Sequence, residues 1–192
     1  SLTLSLTGLV LGIVIGTPLG WLMGWYKTVN AVVKPIFELI RPIPPISWIP
    51  LMIVWVGVGM EAKIVIIFFS AFIPCVLNSY SGIQQTSQVL INLAKTYGAT
   101  NFETFYKVGI PSSLPMSFAG MRIALGNAWS TLVAAELLAA NAGLGYMITM
   151  GRSFQRADII IVGMLTIGVL GYILTAVFGI LERKIVKGRG HS

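Results

Sequence analysis

Long uncharged stretches alternate with short charged ones along this chain. Residues 1–26 hold no Asp, Glu, Lys or Arg, so Leu2–Trp25 can cross a bilayer, which takes about 20 apolar residues. Lys27, Lys34, Glu38 and Arg41 mark the loop that follows, and uncharged Pro42–Met60 predicts a second span. Glu61 and Lys63 form a turn, and Ile64 to Ile83 predicts a third span. Residues 88–112 are polar enough to leave the membrane. Leu114 to Ala140 predicts a fourth span, interrupted only by Arg122 and Glu136. Asn141–Arg156 reads as a glycine-bearing connection, Ile159 to Leu181 as a fifth span and Glu182–Ser192 as a basic tail. The expected fold is all-α: a polytopic membrane bundle of about five transmembrane helices, one domain over residues 1–192. The chain opens inside an apolar run with no charged segment before it, unlike a signal peptide. A further N-terminal span is expected ahead of it.

Composition agrees with lipid as the solvent. Hydrophobic residues make up 56% of the chain and charged residues 10%, against about 25% charged in soluble domains. The net charge of +7 would suggest nucleic acid for a soluble protein. Here it reads as loops facing anionic lipid, and no nucleic-acid partner is expected. The lone Cys75 excludes a disulfide framework and reads as core filler; His191 in the tail has no assigned role.

Five spans put the chain ends on opposite sides. With the C-terminus in the cytoplasm, Lys27, Lys34, Arg41, Lys95, Lys107, Arg183, Lys184, Lys187 and Arg189 lie inside, and Lys63, Arg152 and Arg156 outside. This bias follows the positive-inside rule. In the first span Gly8, Gly12, Gly16, Gly20 and Gly24 recur every four residues. Such a stripe admits another backbone closely. It drifts about 40° per step, which predicts a crossing partner rather than a parallel one.

The segment Leu90–Pro111 predicts two short helices. Leu90, Leu93, Ala94 and Tyr97 share a helical face, and Gly98 is a helix stop. Thr100 and Glu103 have capping-box spacing, so a second helix starts at Asn101 and ends at Pro111. Leu90, Tyr97, Phe102, Phe105 and Tyr106 give the pair more apolar surface than a solvated loop needs. Two readings stand: docking into a partner's groove, or folding back on the chain's own helices.

This segment resembles the EAA loop of bacterial ABC importer permeases. The family pattern is Glu-Ala-Ala, three residues, Gly, nine residues, Ile, one residue, Leu-Pro. The same spacing here gives Asn92-Leu93-Ala94, Gly98, Val108 and Ile110-Pro111. Ala94, Gly98 and Pro111 match, while Asn92 and Leu93 depart from Glu and Ala. Arg41-Pro-Ile-Pro-Pro-Ile-Ser-Trp-Ile-Pro-Leu51 resembles a segment of taurine, aliphatic sulfonate and nitrate permeases, with Ser47 in place of Ala. Trp129–Leu137 and Gly143–Ile148 resemble the same group, most closely its taurine permeases. The resemblance implies a type I importer permease in the bacterial inner membrane, paired as a homodimer with two ATPase subunits and an external substrate-binding protein. It implies that 88–112 is the coupling loop, with Asn92, Ala94, Gly98 and Pro111 at the ATPase; Tyr97, Phe102 and Phe105, from their apolar surface, are expected there too. It implies taurine or a related sulfonate as substrate, with nitrate, bicarbonate or an aromatic carboxylate or sulfonate as alternatives.

Charges at membrane depth are costly and usually face a bundle interior or a cavity. Arg122 and Glu136 stand 14 residues apart, about 21 Å along one helix, too far to pair. Arg122 reads as snorkelling to the interface, capping carbonyls or contacting substrate. Glu136 reads as a structural hydrogen-bond partner or as part of the translocation path. Trp48 reads as an interfacial anchor or a cavity wall. Met147, Met150, Arg152 and Arg156 lie where an external protein would dock; the two arginines read alternatively as meeting headgroups or solvent.

No catalytic constellation, phosphate loop or metal motif is present in the sequence, so no cofactor is expected and the energy comes from another subunit. The rival class is a secondary transporter or channel, which needs no projecting amphipathic loop and often shows inverted repeats. An intramembrane enzyme is disfavoured by the missing catalytic groups.

Overall fold

A computed structural model describes residues 2–57, 59–139 and 142–187; Asn141, Arg189 and His191 lie outside them. The described residues are helical, without strands. In order, the helices are α1 (Leu2–Trp25), α2 (Lys27–Ile40), α3 (Ile49–Val56), α4 (Met60–Gln84), α5 (Gln88–Thr96), α6 (Asn101–Thr104), α7 (Ile110–Ala139), α8 (Leu144–Ser153) and α9 (Ala157–Lys187). A 3-10 turn (Pro45–Trp48) precedes α3, and a π-helical turn (Phe105–Gly109) joins α6 to α7.

Helices α1 and α4 run in the same direction and touch along their whole length. A Cβ on Gly8 would lie 2.6 Å from Ile67, on Gly12 2.6 Å from Ala71, on Gly20 2.4 Å from the Val76 carbonyl oxygen and on Gly24 2.7 Å from Ile83. The glycine stripe therefore packs as expected, but its partner is not a helix met at a single crossing. The reason lies in α4, which presents Ile67, Ala71, Cys75, Ser79 and Ile83, also every four residues. Both stripes drift in step, so contact persists. Lipid tails are as apolar as side chains, so the gain comes from close van der Waals contact.

Helix α7 runs antiparallel to α4. Gly82 of α4 lies against Ser113 and Met116 at one end of α7, and Ala62 and Ile66 cluster with Ala135 at the other. Between them the Thr131 hydroxyl donates to Ser70 Oγ at 2.9 Å. Ser113, Ser117, Ala124, Ala128 and Leu132 are wholly buried. One face of this helix packs in protein and is lined by small and polar side chains, while Ile123, Gly126, Asn127 and Ser130 on the other face are exposed. Accordingly α1, α4 and α9 are each long and apolar enough to cross a membrane alone, whereas α7, at 30 residues, has the length without the sustained apolarity.

The expected second span is different. Residues 27–41 are not a loop: α2 forms and packs Phe37 against Met23 and Val76. Pro44 then takes an extended conformation, with φ −59° and ψ 135°, because the following Pro45 disfavours the helical region. The chain bends by 79° between α2 and the Pro45–Val56 segment, and only the two together pass for one span. Residues 27–40 and Pro45–Val56 together form a broken span or a re-entrant loop, not a straight helix from Pro42 to Met60. Residues 141–156 also differ from expectation, because they contain α8. The fifth span extends at both ends to fill Ala157–Lys187, and only 6% of its apolar window is buried within the chain.

Candidate functional site

The projecting segment carries the expected geometry. Helix α5 ends in a Schellman motif: Gly98 N–H donates to Lys95 O at 2.9 Å and Ala99 N–H to Ala94 O at 3.0 Å. Gly98 has φ +83°, a left-handed conformation that strains any residue with a Cβ. The Thr100–Glu103 capping box is complete: Glu103 N–H donates to Thr100 Oγ1 at 3.2 Å, and Thr100 N–H to Glu103 Oε2 at 2.9 Å. These Thr100 donors, with Lys107 nearby, hold the Glu103 carboxyl below its ordinary pKa.

The second loop helix does not end at Pro111. Helix α6 passes through the π-helical turn into α7, and Pro111, which has no N–H to give, sits just after that turn. The loop and the central helix are thus continuous in the chain.

The aromatic residues divide into two sets. Tyr97 is 85% exposed and Phe102 65% exposed, while Phe105 is 6% exposed. Phe105 lies 5.5 Å from Trp25 and 5.7 Å from Tyr26, ring centre to ring centre. It is an anchor under the chain's own helices and does not join the exposed surface expected from sequence. Trp25 Nε1 also donates to Asn101 Oδ1 at 3.3 Å, and Gly109 leaves room for its ring. Leu90, Leu93, Ala94, Tyr97, Lys107 and Pro111 line a groove of about 360 Å3 on the loop. Asn92 Oδ1 accepts from Gln88 Nε2 at 3.2 Å, one turn away.

The polar residues inside the bundle do not converge. Arg122 forms an ion pair with Glu182 of α9. Glu136 is 2% exposed and accepts the Gly145 N–H at 3.0 Å, tying the end of α7 to the start of α8. Trp48 stacks on Phe69 with centroids 5.7 Å apart. Arg122, Glu136 and Trp48 therefore engage three different partners, although Trp48 packs against the cluster that contains Ala135, next to Glu136. In the connection, Arg156 meets both carboxylate oxygens of Asp158. Two partners were not foreseen: Glu182, read as tail, and the α8 N-terminus. Glu182 directly follows the last apolar run, so helix continuation would have placed it within reach. No His, Cys, Asp or Glu cluster fit for a metal occurs among the described residues.

Comparison with known proteins agrees with this geometry. The family described as binding-protein-dependent transport system inner membrane component matches residues 8–187. The chain is 37% identical over 163 residues to the taurine transport system permease protein TauC of Escherichia coli (strain K12), covering 85% of the chain and 59% of TauC. It is 42% identical over 160 residues to a putative ABC transporter permease of Methanocaldococcus jannaschii, covering 83% and 60%. The chain thus spans about three fifths of the length of these relatives. A probable ABC transporter permease of Brucella melitensis is 38% identical over 97% of the chain and 76% of its own length. Among solved structures, the inward-facing MetNI methionine ABC transporter superposes with TM-score 0.81 at 22% identity, over 96% of this chain and 92% of the other; it shares the fold. Family match, relatives and fold agree: this multi-pass membrane protein belongs to the family of binding-protein-dependent transport system inner membrane components.

Proposed function

We propose that this chain forms the membrane path of an ABC importer, working as a homodimer with two ATPase subunits and an external binding protein. The loop end of the bundle, with Trp25, Gln84 and α5–α6, faces the cytoplasm; the α8 end faces outward. The observation that carries this reading is the exposed helix-glycine-helix loop running without interruption into α7. Tyr97 and Phe102, with the groove that Ala94 and Pro111 help to line, supply the ATPase-docking surface. ATP-driven movement of the ATPases shifts α6, and α7 carries the shift towards α8. A free-standing channel has no use for such a lever. The chain has no phosphate loop and hydrolyses no ATP itself.

Taurine or a related sulfonate is the proposed substrate, supported by the likeness to a taurine permease over most of the chain. Proteoliposomes holding the full-length protein, its ATPase and its binding protein should take up labelled taurine only with ATP. Uptake without ATPase or ATP overturns the importer reading. ATP-driven uptake of nitrate in preference to taurine overturns the substrate assignment alone.

A further inference from the structure

Outside the loop, a cleft of about 400 Å3 opens along α9 beside Arg122 of α7, lined also by Tyr172, Thr175, Gly179 and Arg183. We infer that this cleft binds an oxyanion head group, sulfonate or phosphate, through the guanidinium groups of Arg122 and Arg183.

The charge pattern is the first argument. Two guanidinium groups line the cleft, and the one carboxylate nearby, Glu182, is bound to Arg122. A guanidinium has five N–H donors in a planar fork. Glu182 engages Nη2 of Arg122, which fixes the group and leaves donors for a second acceptor. The Arg122 side chain is 53% exposed while that of Glu182 is 19% exposed. Arg183 has no ion-pair partner among the described residues. The cleft therefore keeps a net positive charge with unused donors, which oxyanions satisfy in bidentate geometry.

Placement is the second argument. The Arg122–Glu182 ion pair joins α7 to the last turns of α9, so Arg122 and Arg183 line one cleft. A cation beside apolar helices is retained where it faces a cavity or a partner charge. Glu182 accounts for Arg122 alone; it does not account for an open cleft with a second arginine. The floor is also open: a Cβ on Gly179 would meet nothing within 4 Å. Thr175 does not serve the anion, since its hydroxyl hydrogen goes to Gly171 O at 2.9 Å. Tyr172, 76% exposed, keeps its hydroxyl free to donate.

Two sources supply such a group: a sulfonate moving through the proposed importer, or the head group of an anionic phospholipid. The test uses the full-length protein in phosphatidylcholine nanodiscs, reading thermal stability during titration with methanesulfonate. A second arm replaces part of the lipid with phosphatidylglycerol. Arg183→Gln removes an exposed charge, and Gly179→Leu fills the cleft without touching either arginine. Methanesulfonate should raise the midpoint, with apparent affinity about tenfold weaker in both variants. A response to phosphatidylglycerol alone, lost in both variants, assigns the same site to lipid. Absence of both responses, or equal responses in wild type and variants, overturns the site. ATP-driven taurine uptake is read separately, so failure here leaves the importer reading standing.

Discussion

The Glu136 carboxylate on the last turn of α7 accepts the backbone N–H of Gly145, in the first turn of α8, at 3.0 Å. The first N–H groups of a helix lack intrahelical partners and carry the positive end of its dipole. A buried carboxylate satisfies both. The fit requires glycine: a Cβ on Gly143 would fall 2.4 Å from the carboxylate, and one on Gly145 2.7 Å from Glu136 Cβ. Helix α7 thus begins at the projecting loop and ends in a tether to α8.

This geometry ranks the substitutions at Glu136. Glu136→Gln keeps an accepting oxygen and loses the charge–dipole term, about 0.3–1 kcal/mol. Glu136→Ala leaves the Gly145 N–H unpaired and a void besides, costing about 2–4 kcal/mol. Thermal midpoints in detergent should fall in the order wild type, Gln, Ala. A Gln variant that is fully stable yet fails in reconstituted uptake would show that the charge itself serves transport.

Gly98→Val should uncouple the ATPase without unfolding the bundle. Valine at φ +83° costs about 1–3 kcal/mol of local strain, and the Schellman turn re-forms with α5 and α6 misaligned. Hydrogen exchange should rise at residues 94–104 only, while ATP-driven uptake falls. Unchanged exchange and uptake would refute the proposed lever.

Two glycines on lipid-crossing helices should respond with opposite signs. Gly20→Ala places a methyl 2.4 Å from the Val76 carbonyl oxygen, a backbone atom that can yield only if the helices separate, at about 1–3 kcal/mol. Gly168→Ala meets nothing within 4 Å and should leave stability unchanged or raise it by up to about 1 kcal/mol through helix propensity. Thermal unfolding of the two variants side by side checks the contrast.

Exposed and buried loop aromatics should separate binding from folding. The double variant Tyr97→Ala, Phe102→Ala should keep the permease's thermal stability and weaken ATPase co-purification about tenfold or more if one hot spot is lost. Phe105→Ala should do the reverse, destabilising the chain by about 3–5 kcal/mol because its ring packs on Trp25 and Tyr26. A destabilised double variant that binds the ATPase normally would overturn the docking surface.

Local chemistry was legible in the sequence. Charge-free runs, glycine at four-residue spacing, the Thr100–Glu103 pair and Gly98 each act within one or two turns of their own helix, so the residues themselves set the outcome. That covers the long helices α1, α4, α7 and α9, the loop and its turn, and their resemblance to a permease family, but not α2 or α8. Tertiary structure decided the rest. Whether Phe105 faces a partner or Trp25 depends on the turn that joins α6 to α7, which periodicity does not register. Arg122 and Glu182 stand 60 residues apart, and Glu136 meets a backbone N–H, which has no sequence signature. Where α2 lies was decided by Phe37 packing against Met23 and Val76, residues far from it in sequence. Pairings of this kind belong to the packed bundle, because a buried charge takes whichever complement the neighbouring helix brings within hydrogen-bond reach.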